Sequence, residues 1–225
     1  MDDSMQNTEH TEETKEAEQE ESRGGIRAFF GDVMDIIEAV VTSIFVIVLL
    51  FAYLLRPVTV DGVSMMPTLL DKDRLVMWSL GYTPKNGDIV IIDDEIGGHF
   101  HDGSGTDVYE TDGMGLRLIK RVIAVAGQEL NIDFVNGTVA VDGVQIPEPY
   151  IADLTTRDDG AFTYPIVIPE GYVFVMGDNR LHSTDSRNPE VALVPVEQVI
   201  GRAIWRFYRL EDECTSLLDR FALLI

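Results

Sequence analysis

Leu116-Arg117-Leu118-Ile119-Lys120-Arg121-Val122-Ile123-Ala124-Val125 is a run of aliphatic and β-branched residues interrupted only by three cations. Such a composition reads as a β-strand. Alternation puts Leu118, Lys120 and Val122 on one face and Ile119, Arg121 and Ile123 on the other. Lys120 therefore points with apolar neighbours. Two readings follow: a lysine whose stem lies on apolar surface with its head in water, or an amine stripped of water. An amine starts near pKa 10.4 and must fall to roughly 7–8 to act as a base. A shift of about 3 units corresponds to roughly 4 kcal/mol, which burial among aliphatics can supply.

The strand has company. Asp88 to Ile92, Phe162 to Ile168, Tyr172 to Met176 and Val199 to Tyr208 share its composition, so residues 56–225 are expected to form a mainly β, predominantly antiparallel domain. Asn136-Gly137 between Ile132–Val135 and Thr138–Val141 predicts a hairpin, and Asp142-Gly143 a second tight turn. The sequon Asn136-Gly137-Thr138 is read as that turn rather than as a glycan site. Asp93 to Asp112, rich in Gly, Asp and His, reads as a surface loop or insertion. His99 and His101 lie in it at a spacing that matches no strong metal motif. Leu217, Leu218, Phe221, Leu224 and Ile225 recur at helical spacing and predict a short terminal helix.

Ahead of this domain, Ala39 to Leu55 carries no charge. Extended back to Ile36 it is long enough, at 1.5 Å per residue, to span about 30 Å as a helix. An uncleaved signal anchor at 36–55 is expected, with a lead-in at 26–35. The leader 1–25 holds nine acidic and two basic residues; with few large apolar side chains it is expected to be a disordered, solvated tail. A net charge of -22 argues against a nucleic-acid partner. The single cysteine, Cys214, excludes an intrachain disulfide. Arg23 and Arg27 precede the anchor while Arg56, Lys72 and Arg74 follow it, so charge does not orient it.

Ser64-Met65-Met66-Pro67-Thr68-Leu69 starts a few residues after the anchor, within about 26 Å of extended chain. Its serine can reach only chemistry near the headgroups. Gly62 permits unusual dihedrals before Ser64 and Pro67 stiffens the chain after it. A nucleophile needs an Oγ held in a defined position and a base beside it. Lys120 is the sharper candidate base, with His182 as the histidine in a dense polar motif. That motif, Gly177-Asp178-Asn179-Arg180-Leu181-His182-Ser183-Thr184-Asp185-Ser186-Arg187, follows an apolar strand and suits a hydrogen-bonded shell. A solvated loop with surface ion pairs would explain the same composition.

Taken together and in this order, Ser64–Leu69, Gly87-Asp88-Ile89-Val90, Lys120-Arg121-Val122-Ile123 and Gly177–Arg187 resemble the bacterial type I signal peptidases, over roughly Ile36 to Tyr208. The resemblance implies a barrel-like antiparallel catalytic domain behind one membrane helix. It implies a membrane-bound Ser–Lys endopeptidase that cleaves signal peptides after small residues, at Ala-x-Ala sites. Ser64 would be the nucleophile and Lys120 the base. Ser183 would orient the amine. Asp185 and Arg187 would form a structural ion pair with Arg121 near it, and Asp178 and Asn179 would belong to the same supporting turn. The oxyanion donors would be the backbone N–H groups of Ser64 and Gly62, the glycine being a feature of the Gram-positive branch. Met65 and Pro67 would border the substrate. The implied partners are signal peptides of secreted preproteins, the lipid bilayer and the secretion translocon; no cofactor or metal is implied. The implied location is the cell membrane, with a cytoplasmic N-terminus and an extracytoplasmic domain. Ala124 and Ala126 depart from the Gly and Pro that the family often shows there. Two other readings are a self-cleaving repressor-type Ser–Lys protease, to which a membrane helix is foreign, and a catalytically inactive membrane-anchored adaptor of the same fold.

Overall fold

A computed structural model describes residues 31–51, 55–101, 107–208 and 222–224. The chain divides into two units, Met1–Phe51 and Ala52–Ile225. In the first, Gly31–Phe51 is a single helix of 21 residues, long and apolar enough to cross a membrane. Its large apolar side chains are exposed all round, Val41, Phe45 and Phe51 among them, as in a helix whose natural solvent is not water. It starts before the expected Ile36, and Leu55, expected to end it, opens a strand instead. Pro57 explains the early stop: it lacks an N–H and pushes Arg56 out of the helical region. The acidic leader lies outside the described residues, as does Cys214.

The second unit is built of antiparallel strands: β1 (Leu55–Thr59), β2 (Arg74–Trp78), β3 (Ile89–Phe100), β4 (Val108–Val125), β5 (Glu129–Asp133), β6 (Thr138–Val141), β7 (Val144–Gln145), β8 (Ile166–Val167), β9 (Tyr172–Met176), β10 (Val194–Pro195), β11 (Val199–Tyr208) and β12 (Ala222–Leu223). One sheet runs β1-β2-β11-β3-β4-β9-β10 with β12 on β11, and the other β7-β6-β5-β8. Ile89–Ile92 is apolar throughout because both its faces are covered. Ile89 and Ile91 pack with Met65, Leu69, Leu75 and Met77. Val90 and Ile92 pack with Val122, Val173 and Val175. A third cluster, including Ile123, Leu130, Val139, Ile166 and Phe174, joins the two sheets.

Several expectations change here. Asp93 to Asp112 is not a loop. β3 and β4 run on as a long hairpin through Phe100↔Val108. Its Gly- and Asp-rich sequence hides strands because much of the extension faces water and needs no apolar alternation. Phe162 to Ile168 supplies only the two residues of β8. The hairpin at Asn136-Gly137 closes earlier than expected, at Asp133↔Thr138. The Asp133 carboxylate accepts the N–H groups of Val135 and Asn136 at 2.9 and 3.0 Å, a local bond that competes with ladder pairing. Asp142-Gly143 does form the two-residue turn, closing Val141↔Val144 with φ of 52° and 74°, as a type I′ turn requires. At the C-terminus, Ala222–Leu223 pairs with β11 as strand, not helix; Leu217, Leu218, Phe221 and Ile225 lie outside the described residues. Among the described residues no group of three or more His, Cys, Asp or Glu could hold a metal ion.

Candidate active site

Ser64 sits in a loop between β1 and β2 whose neck is closed by Val60 N–H to Asp73 O at 2.8 Å and Lys72 N–H to Val60 O at 2.9 Å. Met65 and Leu69 are driven into the core on either side of the loop, 1 % and 0 % exposed. Each such burial contributes about 1.5–3 kcal/mol, enough to fix the loop on the sheet. Met65, expected beside a substrate, packs in the core cluster with Leu69, Leu75 and Ile89. Pro67, after a cis Met66–Pro67 peptide, is exposed.

The polar motif after β9 clamps this loop. Asn179 N–H donates to Ser64 O at 3.0 Å, and Asn179 Nδ2 to Val63 O at 3.2 Å. One residue thereby holds the carbonyls on both sides of the nucleophile candidate's amide. Asp178 accepts Thr68 Oγ1 at 2.5 Å and the Arg121 fork at 2.8 and 2.7 Å. Arg206 donates to Thr68 O at 2.9 Å. The loop is therefore pinned by neutral and charge-assisted bonds.

β4 brings Lys120 to this loop. Its Nζ lies 3.0 Å from Ser64 Oγ, hydrogen-bonded to it, and the residue is 3 % exposed. Burial pushes the amine well below its ordinary value. The negative charges of Asp185, Asp94 and Asp178 oppose that push, and the Arg187 cation adds to it. A neutral amine at this distance can accept the hydroxyl proton.

Asp185 and Arg187 form a fully buried two-point ion pair, with Nε–Oδ1 and Nη2–Oδ2 both at 2.8 Å. Arg187 also donates to the carbonyls of Arg180 and Arg157 at 2.8 and 3.1 Å. Burial alone would push the Asp185 carboxyl up. The Arg187 guanidinium and the Gly177 N–H outweigh it and hold the carboxyl below the usual carboxylate range. Ser186 ties the segment to β9 through Val175. Arg121, expected near the Asp185–Arg187 pair, bonds Asp178 and Gly87 O and lies over the Tyr150 ring, 4.0 Å from its centroid.

Two further residues expected at the site have these surroundings. Ser183 Oγ is buried; it lies against the Gly177 backbone and helps to hold the Asp185 carboxyl down. The Gly62 N–H donates to Asp71 Oδ1 at 2.8 Å, so the second oxyanion donor expected there is already engaged. Lys72, paired with both Asp61 and Asp71, completes that exposed cluster. His182 is exposed. Sequence reasoning left Arg180 without a role. It is fully buried and bonds Gly177 O, Thr155 and Glu148. A lone arginine in a polar segment carries no local sign of a partner 32 residues upstream.

Gly177 is where the pieces touch. A Cβ there would fall 2.5 Å from Ser64 O and 2.6 Å from Ser183 Cβ, and the Ser64 carbonyl is tied to Asn179. Gly177→Ala is expected to cost about 1–3 kcal/mol of stability and to lower turnover at least about ten-fold by displacing Ser64. Thermal melts and cleavage kinetics measure both; wild-type values for each would show that the loop yields freely.

The β domain thus sets Ser64 against the buried Lys120. The family model described as signal peptidase, peptidase S26, matches residues 33–208. A probable signal peptidase I-1 of Synechocystis is 36% identical over 171 residues, covering 72% of this chain and 78% of its own. A signal peptidase I of Bacillus licheniformis is 32% identical over 187 residues, covering 78% and 89%. The crystal structure of a signal peptidase I from Enterococcus faecalis aligns with a TM-score of 0.39 and 24% identity, over 54% of this chain and 97% of that one. The chain belongs to the signal peptidase S26 family and is a hydrolase of the serine-endopeptidase class.

Proposed function

We propose that this chain is a membrane-anchored endopeptidase that removes signal peptides from exported preproteins after small residues, at Ala-x-Ala sites, with Ser64 as nucleophile and Lys120 as base. The observation that carries this reading is the 3.0 Å contact between Ser64 Oγ and a buried Lys120 Nζ. In the proposed reaction, neutral Lys120 takes the Ser64 proton as Oγ attacks the scissile carbonyl. The Ser64 N–H stabilises the resulting oxyanion. The lysine ammonium then protonates the departing amine, leaving an acyl-Ser64 ester. Water, deprotonated by the same lysine, hydrolyses the ester and frees Ser64.

The apolar helix supports an anchor in the lipid bilayer. The family supports an extracytoplasmic placement of the β domain, where a translocon delivers the preprotein. The test uses the full chain in detergent and a synthetic preprotein with an Ala-x-Ala site. Cleavage is expected after the second alanine. A phenylalanine in its place is expected to slow cleavage by about 10- to 100-fold, the cost of overfilling a small pocket. Equal cleavage of both substrates would overturn the specificity.

A further inference from the structure

Asp94 is a fully buried carboxylate on β3 to which the reaction above gives no role. Its position is built. Val90, Ile92 and Asp94 lie on one face of β3, opposite Lys120, Leu118 and Leu116 of β4 in register. The ladder then breaks in a bulge between Asp94 and Ile96. The bulge is held from outside by Gln198, whose Oε1 accepts the N–H of Glu95 and Ile96 at 2.9 and 3.3 Å. From inside, Asp94 Oδ2 accepts the Met114 N–H at 3.1 Å. Bulges of this kind re-aim a side chain near active sites. The second oxygen, Oδ1, is buried with no hydrogen-bond partner among the described residues.

A buried, half-satisfied carboxylate is costly unless a charge faces it. Burial pushes the Asp94 carboxyl up, the Met114 N–H and the charge of Lys120 pull it down, and Asp94 in turn favours the charged lysine. The other groups facing the lysine are Ser64 from the loop and Asp178, Asp185 and Arg187 from the segment after β9. Asp178 and Asp185 are each committed to an arginine. Among the described residues Asp94 makes no ion pair within 4.0 Å, the longest separation in any of the other pairs being 3.9 Å.

We propose that Asp94 is a positioning residue that acts on the reaction through Lys120: its carboxylate stabilises the lysine ammonium and thereby sets the pH at which the neutral amine becomes available. The inference rests on the reading of Lys120 as the base. Removing the carboxylate charge withdraws a stabiliser of the ammonium, so the amine loses its proton at lower pH.

The experiment compares full-length wild type, Asp94→Asn and Asp94→Glu in detergent. Asparagine keeps an acceptor for the Met114 N–H without the charge; glutamate keeps the charge. Two readouts are taken: the acid limb of kcat/KM for preprotein cleavage, and the NMR titration of the Lys120 side chain, assigned by its loss in Lys120→Ala. In Asp94→Asn both midpoints are expected to fall by about 0.5–1 unit, with cleavage one unit below the wild-type midpoint rising about three- to five-fold. Asp94→Glu is expected to keep both near wild type. Unmoved midpoints in a folded Asp94→Asn overturn the proposal, as do equal shifts in both variants, which mark a packing effect. Should Asp94→Asn not fold, the glutamate variant decides, since a displaced midpoint there counts against the proposal and a retained one for it. A Lys120 titration that follows residue 94 while Lys120→Ala still cleaves at the wild-type rate would sink the base assignment and leave the coupling standing.

Discussion

Lys120→Ala is expected to abolish preprotein cleavage, by about 10⁴-fold or more, while the domain stays folded. The loss follows from geometry. With the amine gone, no other base in the described residues sits at hydrogen-bond distance from Ser64 Oγ, and an unassisted serine hydroxyl is a weak nucleophile. Stability moves the other way from activity: burial opposes the charged amine, so its removal relieves a desolvation cost that offsets the lost packing of its stem. Melting within a few degrees of wild type is therefore expected. Ser64→Ala should match it in activity. The wild-type rate should rise with pH through a midpoint below the ordinary lysine value near 10.4, because only the neutral form is a base. Full activity in either variant, or an acid limb at or above that ordinary value, would contradict the dyad.

Arg187→Ala is expected to be the most destabilising single change in the site, at about 3–5 kcal/mol. It leaves Asp185 charged, fully buried and stripped of both guanidinium bonds. It also frees the carbonyls of Arg180 and Arg157. Urea unfolding of the wild type and the variant measures the difference, and a loss below about 1 kcal/mol would show that the pair is not structural. The pair also gives stability a pH signature. The folded carboxyl of Asp185 titrates below its unfolded value near 3.9. Its contribution is thus complete above that value and is lost as pH falls through the folded one. Arg187→Ala should flatten this acid limb of the stability curve.

How much could be read beforehand differed by region. β9 and the part of β4 that carries Lys120 are legible because burial on both faces enforces β-branched sequence. The extension at 93–112 is not, since exposed strand pairing is written in the partner strand and not in local composition. Leu217 to Ile225 shows the converse: a helical period near the end, yet Ala222 and Leu223 pair with β11, where an open strand edge outweighs local preference. Within the site, Asn179 was placed in the supporting turn, but its two bonds to the carbonyls of Val63 and Ser64 depend on a loop more than a hundred residues away. The bonds of Arg121 to Asp178 and of the Gly62 N–H to Asp71 likewise carry no local sign in the sequence.

By itself the sequence determined the order of parts: an apolar helix, a serine loop, a strand bearing one lysine among aliphatics, and a dense polar segment after an apolar strand. Those are local properties, set by periodicity, charge and residue type. Only the tertiary structure decided which side chains meet. Ser64 and Lys120 are 56 residues apart and Arg121 and Asp178 are 57 apart, and both contacts exist because antiparallel pairing of β3, β4 and β9 folds the chain back on itself. The tertiary structure likewise decided that Lys120 is buried and not snorkelling. A strand's alternation names the face a side chain points to, whereas what covers that face comes from the rest of the fold.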